Sequence, residues 1–147
     1  MVYSSRTHSQ LAQVVRELRK TPYAAKAVVL GSRAHLCLHP DVKSLPSSAA
    51  NTKCASLCQS QQCRWHKVYT QRQREPALAA QDYQPVADIE DLLTVGRGVG
   101  GGAGGVGPCP YYLSRAWAKD ADVVLMPYNY LIDANTRKGP ELAVPLS

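Results

Sequence analysis

The sequence predicts an α/β fold: a parallel sheet with helices, interrupted by a long irregular insert that carries cysteines. Three observations predict it. A β-prone stretch, an amphipathic helix and a short apolar run follow one another before Gly31, and strand–helix–strand in that order builds a parallel pair. A second short apolar run, Asp122–Met126 (DVVLM), recurs much later. Between them, Ala34–Gln84 is polar and rich in cysteine and proline, with no apolar stripe at helical or strand spacing.

The elements follow in order. Val2–Ser5 is a short strand. Leu11, Val14, Val15 and Leu18 fall at i, i+3, i+4 and i+7, one face of a helix. Thr7 and Gln10 form a capping-box pattern that starts this helix just after Thr7, and Thr21-Pro22 ends it. Lys26–Leu30 (KAVVL), bounded by Gly31, reads as a buried strand. Ala87–Leu93 (ADIEDLL) reads as a short acidic helix ended by Gly96. Gly96–Gly107 holds eight of the ten glycines and predicts a flexible tether. It is not a phosphate loop, because no Lys-Ser/Thr follows and Pro108-Cys109-Pro110 cannot open the helix that such a loop needs. PYYLSRAWAKDA is helix-like. Asp122–Met126 is a buried strand broken by Pro127, and YNYLIDANTRK follows as turn or helix. There is no internal repeat.

A length of 147 residues suits one ordinary domain. No apolar run approaches the ~18 residues of a membrane span, so no membrane partner is expected. The opening MVYSSRTHSQ has no basic-then-apolar leader. We therefore expect a reducing, intracellular setting, in which clustered cysteines serve as metal ligands or catalytic groups more often than as disulfides. The net charge of +6 is lopsided: residues 1–75 carry +9 and residues 76–147 carry −3. A basic half points to a polyanionic partner, nucleic acid first, or to a solvated, solubilising face.

The five cysteines are Cys37, Cys54, Cys58, Cys63 and Cys109, and an odd number does not complete a disulfide framework. Cys54/Cys58 and Cys63/His66 have the tight pairing of a zinc site. Wider sets are open to iron–sulfur clusters, which need only converging thiolates. Sixteen residues separate Cys37 from Cys54, eight separate Cys54 from Cys63 and 45 separate Cys63 from Cys109. Spacing alone leaves both chemistries open. Each cysteine could also be a small buried apolar side chain.

The flanking residues favour one of them. YSSRTHSQL (Tyr3–Leu11), VLGSRAHLCLHPDV (Val29–Val42), CPYYLSR (Cys109–Arg115) and DVVLMPYNYLIDA (Asp122–Ala134), in this order, resemble the iron–sulfur DNA helicases of superfamily 2. This is the xeroderma pigmentosum group D-like group, and the likeness is strongest to its telomere-elongation branch. The resemblance covers nearly the whole chain except the glycine run and parts of the insert. It implies a RecA-like parallel-sheet motor domain with an irregular, mainly helical iron–sulfur insert. Residues 1–33 and 113–147 would belong to the motor domain and residues 34–112 to the insert, with the glycine-rich tether at 96–107. The resemblance further implies a [4Fe–4S] cluster held by Cys37, Cys54, Cys63 and Cys109, with Cys58 spare. His35, His39 and His66 would then flank the cluster or lie at the surface. The alternative is a non-enzymatic zinc module on Cys54, Cys58, Cys63 and His66 that binds nucleic acid.

Ser4–Gln10 resembles helicase motif Ia. Hydroxyls and backbone N–H groups at a helix start suit phosphate without base preference, and Arg6, Thr7 and Ser9 are the expected DNA contacts. The insert carries Arg33, Lys43, Lys53, Arg64, Lys67, Arg72 and Arg74 interleaved with Trp65 and Tyr69, a pattern that suits single-stranded DNA. Arg64, Trp65 and Lys67 are the expected contacts there, beside single-stranded DNA and duplex junctions. Tyr111, Tyr112, Tyr128 and Tyr130 are expected to pack in the core or on the cluster. No G-x-x-x-x-G-K-[ST] and no Asp-Glu-Ala-His-like tetrad occurs. ATP and Mg2+ are therefore expected only in the full-length helicase, with the rest of the motor, and this partial chain alone is expected not to hydrolyse ATP. A 5′-to-3′ polarity, a nuclear location and a role in genome or telomere maintenance come with the resemblance.

Overall fold

The computed structural model of the chain describes residues 1–98 and 105–133. The middle of the expected tether and the chain beyond Asp133 lie outside the described residues. In chain order the elements are β1 (Val2–Ser5), α1 (His8–Lys20), β2 (Ala27–Val29), α2 (Arg33–Leu36), α3 (Pro40–Lys43), α4 (Ser47–Gln59), α5 (Arg64–Arg74), α6 (Pro76–Asp82), β3 (Val86–Ala87), α7 (Ile89–Gly96), α8 (Pro110–Ala118), β4 (Val123–Pro127) and α9 (Asn129–Ile132). They fall into two compact units. One comprises Met1–Gly31, Gln84–Ile89 and the described part of Ser114–Ser147. The other comprises Ser32–Tyr83 and Glu90–Leu113.

The first unit holds a parallel sheet in the order β1-β4-β2-β3. Val2 pairs with Val124 and Val28 also pairs with Val124, so the strand from late in the chain lies between the first two. Parallel strands need covered faces, and α1 covers one. Its stripe behaves as the spacing predicts: Leu11 and Val15 are fully buried with Ala27, Val29 and Leu125, and Val14 and Leu18 pack against them. Thr7 caps α1, its Oγ1 accepting from the Gln10 N–H at 3.3 Å. The other half of the box differs. The Gln10 side chain accepts from the Ser5 hydroxyl at 2.5 Å instead of reaching back to the cap. Leu11→Ala removes a fully buried side chain from a closed core, so we expect a loss of about 2–5 kcal/mol in a denaturant titration.

Two sequence expectations shift here. Ala87 pairs with Val28 in β3, which moves the acidic helix to Ile89–Gly96. Pro127 does not break β4 but closes it opposite Ser5, where the Tyr128 N–H continues the pairing to Ser5 O at 3.0 Å.

In the second unit the stretch without periodicity is built of the helices α2 to α6. The pattern was hidden because the buried face of α4 uses small side chains. Ala50, Cys54 and Leu57 stand at i, i+4 and i+7. In α5 only Trp65 is buried, and in α6 nothing is. Arg72 links these two helices: its Nε lies 3.3 Å from Asp82 Oδ2 and its Nη1 donates to Leu78 O at 3.2 Å. Burial raises the Asp82 carboxyl above its usual range, and Arg72 opposes that shift. At the end of α7, a Cβ on Gly96 would run into the Pro110 ring and the Leu38 side chain. The glycine therefore permits a close approach beside Cys37 and Cys109.

Candidate metal centre

The five cysteines are delivered by four local devices. Cys37 directly follows α2, and its N–H donates to Arg33 O at 2.9 Å. Cys54 and Cys58 stand one turn apart on α4 with their sulfurs 3.9 Å apart. Gln61 takes a left-handed turn (φ 57°) after α4. The Gln62 and Cys63 N–H groups then both donate to Leu57 O, at 2.8 and 3.3 Å. This reversal places Cys63 at the N-cap of α5. Cys109, held between two prolines, donates its N–H to Trp65 O at 3.1 Å.

All five cysteines line one pocket within the second unit, with about 310 Å³ of space between the lining atoms, part of it open to solvent. Cys37, Cys54, Cys63 and Cys109 are 7–8% exposed, whereas Cys58 is half-buried. Arg33 and Tyr112 line the same pocket.

Burial dominates the electrostatics. It raises the thiols of Cys37 and Cys63 and pushes Cys109 up to about 12. Cys54 goes the other way, to about 5. The Cys58 thiol hydrogen-bonds to it first, burial opposes, and the Arg33 guanidinium adds to the lowering. The same hydrogen bond raises Cys58. The hydrogen bond between the two sulfurs is the larger cause of the opposite shifts, and the Arg33 guanidinium favours negative charge on Cys54.

This donor set fits a cationic, sulfur-seeking centre. Buried thiols become thiolates when a metal supplies positive charge, and binding then releases their protons. Tetrahedral zinc gathers four donors within ~2.0–2.3 Å of one point. A polynuclear iron–sulfur group accepts thiolates spread more widely. Cys37, Cys54, Cys63 and Cys109 are the residues that would hold it.

His39 and His66 line the same pocket as the cysteines, while His35 is not among its lining residues. His35 is exposed, with Nδ1 2.9 Å from Ser32 Oγ. His39 caps α3, its Nδ1 accepting from the Asp41 N–H at 3.3 Å, and its ring meets Trp65 edge-on at 6.0 Å. His66 packs on Tyr112 at 5.0 Å and on Tyr69 at 6.2 Å.

Arg6, Thr7 and Ser9 are exposed at the start of α1, with Thr7 Oγ1 3.0 Å from Ser9 Oγ and no acidic residue in the first turn. Arg64 and Lys67 are exposed on α5. Trp65 is not: it is 9% exposed, with the Arg64 guanidinium 4.3 Å above its ring. The ring is a floor for Arg64, not an open face for a base. Tyr111 and Tyr130 are buried and Tyr112 is half-buried, but Tyr128 is exposed, outside the packing expected of it.

Sequence reasoning grouped Arg33 with the surface cations. The structure buries it to 7% exposure, donating from Nη1 to Asn51 Oδ1 at 2.8 Å and lying 4.0 Å over the Tyr111 ring. Its position one helical turn before Cys37 was the available signal.

Comparison with known proteins bears on the family resemblance. The DEAD_2 family model matches residues 3–144. The chain is 41% identical over 138 residues to the regulator of telomere elongation helicase 1 homolog of Oryza sativa subsp. japonica, covering 94% of the chain and 13% of that protein. It is 44% identical over 139 residues to the regulator of telomere elongation helicase 1 of Mus musculus, covering 94% of the chain and 11% of that protein. For the Homo sapiens protein of the same name the identity is 42% over 139 residues, with 94% and 10% covered. The chain thus spans about a tenth of the length of the curated relatives it matches. With a parallel α/β sheet, a match along nearly its whole length and this degree of identity, the chain belongs to the DEAD_2 family, that of the xeroderma pigmentosum group D-like helicases.

Proposed function

We propose that this chain is the cluster-bearing part of an ATP-dependent, 5′-to-3′ DNA helicase that acts in the nucleus on genome or telomere maintenance. One observation carries the reading: four buried cysteines, from segments far apart in sequence, line one pocket. Cys37, Cys54, Cys63 and Cys109 would supply the thiolates and a [4Fe–4S] cluster would cross-link them, with a structural role as the default and redox chemistry not required.

The chain's own residues do the rest. Arg33 balances negative charge next to Cys54. The prolines around Cys109 and its bond to Trp65 O hold that ligand against α5. Cys37 and Cys109 stand 72 positions apart. Closing a loop of that size is worth about 4 kcal/mol in chain entropy, much of what a unit of short helices has to lose.

DNA contact falls to the exposed groups. Arg6, Thr7 and Ser9 meet phosphate at the start of α1, and Arg64 and Lys67 do so on α5, with Trp65 bracing Arg64 from below. None of these reads a base edge, as suits a translocating motor. Residues 32–83 and 90–113 act as the insert; residues 84–89, expected in the insert, join the sheet through β3 and belong with residues 1–31 and the chain from 114 on to the motor-domain frame, which works with the rest of the motor on single-stranded DNA and duplex junctions. The chain alone does not hydrolyse ATP, since it holds no phosphate loop.

Metal analysis after anaerobic reconstitution tests the reading: iron with matching sulfide supports it, and stoichiometric zinc in a colourless protein supports the non-enzymatic zinc module instead. For DNA, we expect binding that ignores base order and weakens steeply with salt. Replacing both Arg64 and Lys67 by Ala should reduce the log–log salt slope by about 1–2. Sharp base preference in a fluorescence anisotropy series would contradict the phosphate reading.

A further inference from the structure

The fifth cysteine has no role in the scheme above, yet it is not remote from the pocket. Cys58 lines the same pocket as the four buried cysteines. It sits on the same helix as Cys54, one turn later, with its sulfur 3.9 Å away. Both side chains therefore leave one face of α4 in one direction. The other three cysteines have no such neighbour on their own helices. Cys37 and Cys109 lie in turns outside helices, and Cys63 caps α5, whose remaining residues include no cysteine. The arrangement is asymmetric: Cys54 is the ligand position with a second thiol on its own helix, one turn away.

We infer that Cys58 is a reserve ligand for the Cys54 position: when Cys54 is removed or modified, Cys58 takes the vacated corner, whereas Cys37, Cys63 and Cys109 have no substitute. This inference rests on the cluster reading above. The exchange balances simply. In the exchange the Cys58 S–H would give its proton to solvent and the Cys58 thiolate would stand in for the Cys54 thiolate, one sulfur ligand for another. Ligand count, net charge and ligand softness are all unchanged, and no electron is transferred. The two sulfurs are 3.9 Å apart, so the exchange asks for a displacement of about that size at the side chain. Cys58 is half-buried, so the thiol is reachable from solvent until it is used, and this gives the inference a chemical readout.

The test uses the full chain, reconstituted anaerobically with ferrous iron and sulfide, as wild type, Cys54→Ala, Cys58→Ala, the double variant and Cys37→Ala. Far-UV circular dichroism accompanies each. We expect Cys54→Ala and Cys58→Ala to retain most of the wild-type iron. The double variant should fall to the level of Cys37→Ala. Alkylation with iodoacetamide, mapped by mass spectrometry, supplies the second measurement. In the loaded wild type, Cys58 should be the cysteine that labels. In loaded Cys54→Ala it should become protected. Iron lost from Cys54→Ala as fully as from the double variant overturns the inference while leaving the cluster reading intact. So does a Cys58 that still labels in a loaded Cys54→Ala. A wild type that takes up no iron overturns both.

Discussion

Cys109→Ser is expected to strip the iron from the reconstituted chain and to melt the second unit with it. Cys109 is the most strongly constrained of the ligands. It lies between Pro108 and Pro110, its N–H is bonded to Trp65 O, and its carbonyl accepts the Leu113 N–H at 2.9 Å, at the start of α8. Burial pushes its thiol up to about 12, which disfavours a bare thiolate there. A serine there leaves three thiolates and opens the longest of the cross-linked loops. The loss in chain entropy alone is about 4 kcal/mol, against a total of roughly 5–15 kcal/mol for an ordinary domain. Iron per chain and a circular dichroism melt, with and without a chelator, measure it. Cys37→Ser and Cys63→Ser should behave alike. Cys58→Ser should leave both iron and melting close to wild type, and loss of iron from it would contradict the assignment.

Arg33→Met should produce the second large effect. The guanidinium is buried, bonded to Asn51, placed over Tyr111 and the source of positive charge beside Cys54. Methionine fills much of the volume but leaves buried negative charge uncompensated. Removing one partner of a buried charge arrangement costs about 3–5 kcal/mol. We expect a lower melting temperature and faster release of iron to a chelator. Arg33→Lys should recover part of this, because it keeps the charge but not the planar stack or the fork of donors. Lys53→Met, at an exposed position on the same unit, serves as the control and should stay within about 0.5 kcal/mol of wild type. An Arg33→Met variant that holds iron as firmly as wild type would show that charge balance at Cys54 is not its role.

These two effects also mark where the sequence was legible. The α1 stripe could be read from Leu11, Val14, Val15 and Leu18 because large aliphatic side chains at helical spacing have one efficient burial. The two apolar runs that became β2 and β4 were visible for the same reason. The two-residue strand β3 was not, since Val86–Ala87 gains its strand character from pairing with Ala27 and Val28, which no local pattern records. In the insert, α4 escaped periodicity analysis because its buried face is Ala50, Cys54 and Leu57. Such a face has too little apolar area to form a stripe, since its purpose is to present sulfur.

At the candidate site, the pairing of Cys54 with Cys58 was visible as spacing. That Arg33, on another helix, adds positive charge beside Cys54 was not. A count of cations cannot separate Arg33, which is buried, from Arg64, which is exposed. Trp65 shows the same limit. An aromatic between cations reads as a stacking platform in sequence, but its neighbours His39 and Arg64 enclose it in space.

X-ray absorption at the iron edge of the anaerobically reconstituted chain probes the four-sulfur centre most directly. A first shell of sulfur with a second shell of iron scatterers is the expected spectrum. A protein that folds compactly yet shows no iron–iron shell, or that carries only zinc in a shell of sulfur and nitrogen, would contradict it.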